Sequence, residues 1–352
     1  MHMADALIST AVGGAMWATS AGIASYSIKK VEKDLDEKKI PLMGVMGAFV
    51  FASQMINFSI PGTGSSGHLG GGMLLAILLG PYAGFLTMAS ILLIQALFFA
   101  DGGLLAFGCN VFNLGFYTCF LAYPLIFKKF TKKGYTQKGI FAGSLLSSII
   151  GLQLGAFSVV LQTLLSGKTE LPFTTFLTLM QPIHLAIGLV EGLVTAAVVT
   201  YVWKVRPEII EGAASGKSLR NLSLKKVLTT LAIGAIITGG VISWFASSHP
   251  DGLEWSMHKA SGQEELEAPS SGIYKTFSDI QNKFAFLPDY SFKASKASEE
   301  NSEEKAESWP SVNSGTSVSG IVGGTMTLAL VALTGFTINN FKKKKKARDT
   351  AI

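Results

Sequence analysis

A histidine one residue behind the first methionine puts three nitrogens in chelating order: the amine of Met1, the amide nitrogen of His2 and an imidazole nitrogen of His2. Closing them on one ion makes a five-membered ring fused to a six-membered ring, and fused rings favour a plane. A planar, nitrogen-rich set selects Ni(II), Cu(II) or square-planar Co(II) over tetrahedral Zn(II) or oxygen-seeking Mg(II). A plane needs a fourth donor, and four other histidines are available. His68 is the candidate. It lies in the glycine-rich run from Pro61 to Gly72, where small residues let the backbone approach a site closely. His249 and His258 stand in polar sequence with no partner at chelating spacing.

Other polar residues sit where they are costly unless paired. Gln95, Asn110 and Asn113 fall within apolar segments. Metal-bound imidazoles need an acceptor on their other nitrogen to fix the tautomer. These three amides, with Ser65, Ser66 and Asp101, are the candidates for holding the N-terminal segment and the His68 loop in place. His184 and Glu191 lie seven residues apart and share a helix face, and both read as hydrogen-bonded packing residues. The run Gly212 to Ser218 is one residue short of a phosphate loop and follows a membrane helix rather than a strand, so a nucleotide site is not expected. Neither an HExxH motif, a nucleophile triad nor a pair of catalytic carboxylates is present. Cys109 and Cys119 fall in apolar sequence and read as core thiols.

The elements that must position these groups are membrane helices. The chain is 49% hydrophobic and 15% charged, with a mean hydropathy of +0.41, well away from a soluble average. Apolar segments are expected at 4–29, 40–58, 69–79, 81–100, 104–127, 139–166, 173–203, 225–247 and 319–338. Several are long enough to cross about 30 Å of hydrocarbon. The fold class is therefore all-α, a polytopic membrane bundle. Its net charge of +6 calls for no nucleic acid, because the lysines cluster at Lys29–Lys39, Lys128–Lys138, Lys204–Lys226 and beyond Lys342, where cytoplasmic loops belong. That places the N-terminus outside and the C-terminus in the cytoplasm. A cleaved signal peptide fits poorly, since no Lys or Arg precedes position 29 and Asp5 stands where a positive region should be. Parity then requires a break at Gly80-Pro81, which leaves 69–79 as a short buried piece and puts the Asp101-Gly-Gly103 turn beside His2 and His68.

Residues 248–318 differ in kind, with 12 acids against 6 lysines. They form an external polar segment between two final spans, and Lys293 to Trp309 is expected to be flexible.

Several ordered motifs carry a resemblance: Met1-His2-Met3-Ala-Asp5, Asn57 to His68, Leu78 to Gly84, Gln95 to Gly103, Gly108 to Asn113 and His184 to Ala196. Together they resemble the CbiM/NikM family, the substrate-binding membrane component of energy-coupling-factor cobalt and nickel importers. The likeness covers about residues 1–205. Past a cytoplasmic linker at 206–224, residues 225–352 resemble the small CbiN/NikN partner, with Pro250-Asp-Gly-Leu-Glu254 and Pro288-Asp-Tyr290. The resemblance implies a seven-helix core whose N-terminal segment inserts into the bundle, with Met1, His2 and His68 as metal ligands. It also implies a transported Ni(II) or Co(II) ion, a transmembrane coupling subunit, two ATP-binding-cassette ATPases and a prokaryotic cytoplasmic membrane. The opening Met3-Ala4-Asp5-Ala6 departs from the commoner family pattern, and cobalt and nickel both stay open. Two other classes are conceivable: an intramembrane metalloenzyme, for which Glu191 would have to be the base, and a passive metal channel. The C-terminal part supplies none of the expected ligands and is expected to help loading without setting affinity.

Overall fold

The computed structural model describes residues 2–34, 37–167, 171–216, 218–219, 222–263, 266–293 and 310–350. Met1 and 294–309 lie outside them, and with these residues lie the expected amine donor and most of the tail expected to be flexible. Among the described residues the architecture is all-helical apart from one short hairpin.

Residues 4–29 do not form one helix from the start, as the apolar pattern suggested. A 3-10 turn covers Asp5–Leu7, and helix α1 begins only at Thr10, running to Asp34. The reason is tertiary: Met3, Ala6, Leu7 and Ile8 are buried, so this segment is a peg in the bundle. Helix α2 (Lys39–Gln54) leads to the hairpin of β1 (Phe58–Ile60) and β2 (Ser65–Gly67), antiparallel with Phe58 opposite Gly67. Helix α3 (Gly72–Leu79) follows and is buried throughout. It ends at Gly80, whose φ of +84° suits glycine, and Pro81 is the first residue of α4 (Pro81–Phe98). The break expected at Gly80-Pro81 is there.

Helix α5 (Phe107–Phe130) is wound as a π-helix between Phe112 and Phe127. Helices α6 (Gln137–Ser166) and α7 (Phe173–Val205) pack side by side. Gly188 and Gly192, four apart on α7, allow this: a Cβ on Gly192 would stand 2.7 Å from Leu145 Cα, and one on Gly188 2.9 Å from Ile149 Cα. Outward, Phe141, Leu146, Ile150, Phe157, Leu185 and Leu189 are exposed, as lipid-facing side chains should be. A short helix α8 (Pro207–Ser215) buries Ile209 and Ile210 against the bundle.

The last part starts with α9 (Lys225–Gly240), which stops before Val241 and passes through a 3-10 turn at Ile242–Phe245, short of the expected 247. Outside the bundle come α10 (Gly252–Ser261), α11 (Gly272–Phe284) and a 3-10 turn at Pro288–Tyr290. Helix α12 (Ser314–Thr350) returns beside α2 and α9. By length and composition α4, α5, α6, α7 and residues 314–344 of α12 can each cross a membrane. The protein is a multi-pass membrane protein.

Gly192→Ala should lower the thermal unfolding midpoint in detergent, because the new methyl meets backbone rather than a movable side chain. The expected cost is about 1–3 kcal/mol. A midpoint equal to that of the unsubstituted chain would show that α6 and α7 are free to separate.

Candidate metal site at the outer mouth of the bundle

The peg at residues 2–8 is held by its backbone. The Met3 N–H donates to Asn110 Oδ1 at 2.8 Å, and Asn110 Nδ2 donates back to the Met3 carbonyl at 3.2 Å. Gly103 N–H also donates to that carbonyl, at 2.9 Å, and the Ala106 N–H donates to Asp5 Oδ1 at 2.9 Å. Tyr274 of α11 caps the far end, its hydroxyl donating to the Ile8 carbonyl at 2.8 Å. A buried side-chain amide with both ends used on the backbone of one residue leaves the segment a single register.

That register puts His2 beside His68. Their rings stack with centroids 5.0 Å apart and planes 15° from parallel. The His68 Nδ1 lies 3.1 Å from the Leu69 carbonyl. A carbonyl only accepts, so Nδ1 carries the hydrogen and Nε2 carries the lone pair. Burial above all pushes the His68 ring down to about 3, so it is neutral at physiological pH.

His2 is oriented by Asp101, with Nδ1 2.8 Å from Oδ1, and its Nε2 is buried with no hydrogen-bond partner among the described residues. Burial works to raise the Asp101 carboxyl, but the His2 imidazole and the Tyr290 hydroxyl outweigh it and bring it down to about 2. Asp101 is thus an acceptor, and the hydrogen between the two belongs to Nδ1. Chelation fused through the His2 amide uses that same nitrogen. A half-turn of the ring about Cβ–Cγ would free Nδ1 and bring Nε2 next to Asp101.

The loop after His68 is fastened from both sides. Gly70 N–H donates to Glu191 Oε2 at 2.7 Å, and Gln54 Nε2 donates to the Gly70 carbonyl at 2.8 Å. Gln95 reaches this network through Gln54, donating to its Oε1 at 3.0 Å, and does not reach an imidazole. Asn113 exchanges hydrogen bonds with Gln162 at 2.8 and 3.0 Å and lies 3.6 Å from Met3 Sδ, one layer beneath the rings. Ser65 stays within its own turn, 2.7 Å from Thr63 Oγ1.

Ser66 leads to the residues that reading the sequence missed. Its N–H donates to the Pro250 carbonyl at 2.8 Å and its hydroxyl to the His249 carbonyl at 2.7 Å. This lays the start of α10 over the site, with Asp251 Oδ2 4.0 Å from His68 Nε2. Asp251 also caps α10, accepting from the Leu253 and Glu254 N–H groups at 2.8 Å. Further along, Gln281 Nε2 donates to the carbonyls of Ala96 and Gly102, and the Leu287 and Asp289 N–H groups donate to Phe98 and Phe99. The Tyr290 hydroxyl then donates to Asp101 Oδ2 at 2.5 Å while its ring stacks on Phe99. Residues 248–318 had been expected to supply no ligands; in the structure their described residues wall one side of the site. The motifs at Pro250 and Pro288 were visible in the sequence, but nothing local said what they would meet.

Among the described residues, the non-glycine positions with positive φ are Ala100, Asp289 and Tyr290, and all three lie where this segment grips the Asp101 turn. Such backbone persists only where its surroundings over-determine it. Also among the described residues, no three His, Cys, Asp or Glu side chains are placed to hold a metal jointly.

Two near-parallel imidazoles, His2 and His68, thus stand together within a multi-pass helical bundle. Residues 2–209 match the family of the cobalt uptake substrate-specific transmembrane region, CbiM, and residues 225–340 match the PDGLE domain. The chain belongs to the CbiM family, with a PDGLE domain fused behind it. It is 30% identical over 97% of its length to a protein of Archaeoglobus fulgidus described as a fused nickel transport protein NikMN, covering 99% of that protein. It is 29% identical to the fused nickel transport protein NikMN of Rhodobacter capsulatus, over 82% of this chain and 88% of that one. A crystal structure of a transition metal transporter superposes with a TM-score of 0.52 at 31% identity, covering 58% of this chain and 93% of that chain. The protein is a nickel/cobalt transport component of the fused type, and not an enzyme.

Asn110→Ala should weaken Ni(II) or Co(II) binding by about tenfold or more. It removes two hydrogen bonds worth about 0.5–1.5 kcal/mol each and frees the peg to slide. Calorimetric titration of the purified chain measures this; unchanged affinity would mean that Met3 is held well enough by Gly103.

Proposed function

We propose that the chain captures Ni(II) or Co(II) on the outer face and presents it to an ATP-driven importer. The ion would lie in a plane formed by the Met1 amine, the His2 amide and imidazole, and His68. The single observation that carries this reading is the near-parallel pairing of His2 and His68 at 5.0 Å. Asp101, Asn110 and Ser66 act by holding those two residues, and Asn113 and Gln95 support them from below.

Residues 1–205 would be the binding unit, 206–224 a cytoplasmic linker and 225–352 a fused partner whose segment 248–318 closes the outer mouth. The positive clusters support an external N-terminus and a cytoplasmic C-terminus. A transmembrane coupling subunit and two ATP-binding-cassette ATPases would supply the energy. Helix α1 supports such docking, because Ala11, Gly14, Ala15, Ala18 and Gly22 remain exposed along it, and small residues let a partner helix approach closely in lipid. With Tyr290 and Asp251 lining the site, removal of residues 206–352 would alter affinity as well as loading.

The test is to add one residue before Met1, which converts the amine to an amide. That variant, His2→Ala and His68→Ala should each lose tight Ni(II) and Co(II) binding by calorimetry, while His258→Ala should not. Undiminished binding by the extended chain would refute the terminal-amine ligand.

Uptake separates an importer from a channel. Cells or vesicles with the coupling subunit and ATPases should accumulate the ion only with ATP; equal accumulation by the chain alone would make it a passive path.

A further inference from the structure

Helix α7 brings a third imidazole to the same layer. His184 is fully buried, and its Nδ1 lies 2.8 Å from the Met180 carbonyl one turn back. The carbonyl accepts, so the lone pair is on Nε2, and Nε2 is buried with no hydrogen-bond partner among the described residues. Such an atom calls for an explanation.

The space beside it supplies one. His184, His68 and Asp251 wall a small cavity of about 10 Å³, closed on the other side by Leu114, Leu152 and Ile187. That is close to the least room a water-sized particle needs. Gly252 packs directly over this wall: a Cβ there would meet Ile183 Cγ2 at 2.3 Å and come within 3.6 Å of His184 Cε1. The cavity thus lies between the binding unit and the fused segment, with one imidazole shared with the planar site.

We propose that this cavity is a second, transient cation position, where Ni(II) or Co(II) is held by His184 Nε2 and the Asp251 carboxylate next to His68. The inference rests on the planar reading above and adds a step to it. A plane of four nitrogens binds firmly, and passage through a protein requires neighbouring, weaker positions from which the ion can leave. One imidazole and one carboxylate form such a weaker pair, because an oxygen ligand suits these ions less well than nitrogen. No bond to protein is made or broken beyond metal–ligand exchange, and the lone pair on Nε2 needs no proton transfer.

The experiment uses the full chain with its native N-terminus, with Co(II) alone as the probe. His184→Gln removes the imidazole and keeps an amide, and Asp251→Asn keeps a helix-capping side chain while removing the charge. His184→Gln should hold Co(II) within about threefold of the unsubstituted affinity, and both variants should lower ATP-driven uptake with the partner subunits at least tenfold. In a His2→Ala background, weak residual Co(II) binding with its own visible spectrum should persist and vanish when His184→Gln is added. Identical residual binding in the single and double variants would overturn the proposal, as would full-rate uptake by both His184→Gln and Asp251→Asn. Tight binding by His2→Ala itself would instead refute the planar site, so the two failures are told apart. An unchanged thermal midpoint for Asp251→Asn keeps the result interpretable if His184→Gln misfolds.

Discussion

The pair of hydrogen bonds between the Asn110 side chain and the backbone N–H and carbonyl of Met3 is the constraint on which the site depends. A short apolar segment could enter the bundle in several registers, since Met3, Leu7 and Ile8 are all acceptable in a core. One amide engaged at both N–H and carbonyl accepts only one of them. Once Met3 is set, His2 falls between Asp101 and His68, and Asp5 meets the turn at Ala106. The energetic stake is high because Met3 and Asn110 are both buried, and an unmet polar group there costs about 1–3 kcal/mol.

The second constraint comes from outside the bundle. The run Pro250-Asp-Gly-Leu-Glu254 has a separate physical task at each position. The Pro250 carbonyl pairs with Ser66, Asp251 caps α10 and faces His68, and Gly252 permits contact with Ile183. Leu253 is buried and Glu254 closes the capping box. On the opposite side, Tyr290 holds the free oxygen of the carboxylate that orients His2. The positive-φ backbone at Ala100, Asp289 and Tyr290 concentrates strain at that grip. A wall that is strained where it closes on the site is suited to opening there, and opening is what loading of a buried site requires.

Much of this was legible in order along the chain. Apolar runs marked the helices, Gly80-Pro81 marked the break between α3 and α4, and the donor order of Met1 and His2 marked a planar chelate. Each is a local property: a period, a backbone restriction, a ring size. The misreading of residues 4–9 as helix has the same origin, because an apolar segment that ends in a peg looks locally like one that begins a span.

What only the tertiary structure decided is which distant polar groups meet. Asn110 lies 107 residues from Met3, Asp251 183 residues from His68, and Tyr290 189 residues from Asp101. No periodicity encodes such pairings. They follow from helix packing, which sets the layer at which each side chain enters the mouth of the bundle. His184 illustrates the difference: its type and its burial in an apolar span were evident, but its unpartnered nitrogen beside a cavity became visible only once α7, α10 and the His68 loop were brought together. By itself the sequence determined the membrane helices and singled out His2 and His68 as candidates, because those depend on neighbours in the chain. The packed structure decided the orientation of the donors and the closure over them, because those depend on neighbours in space.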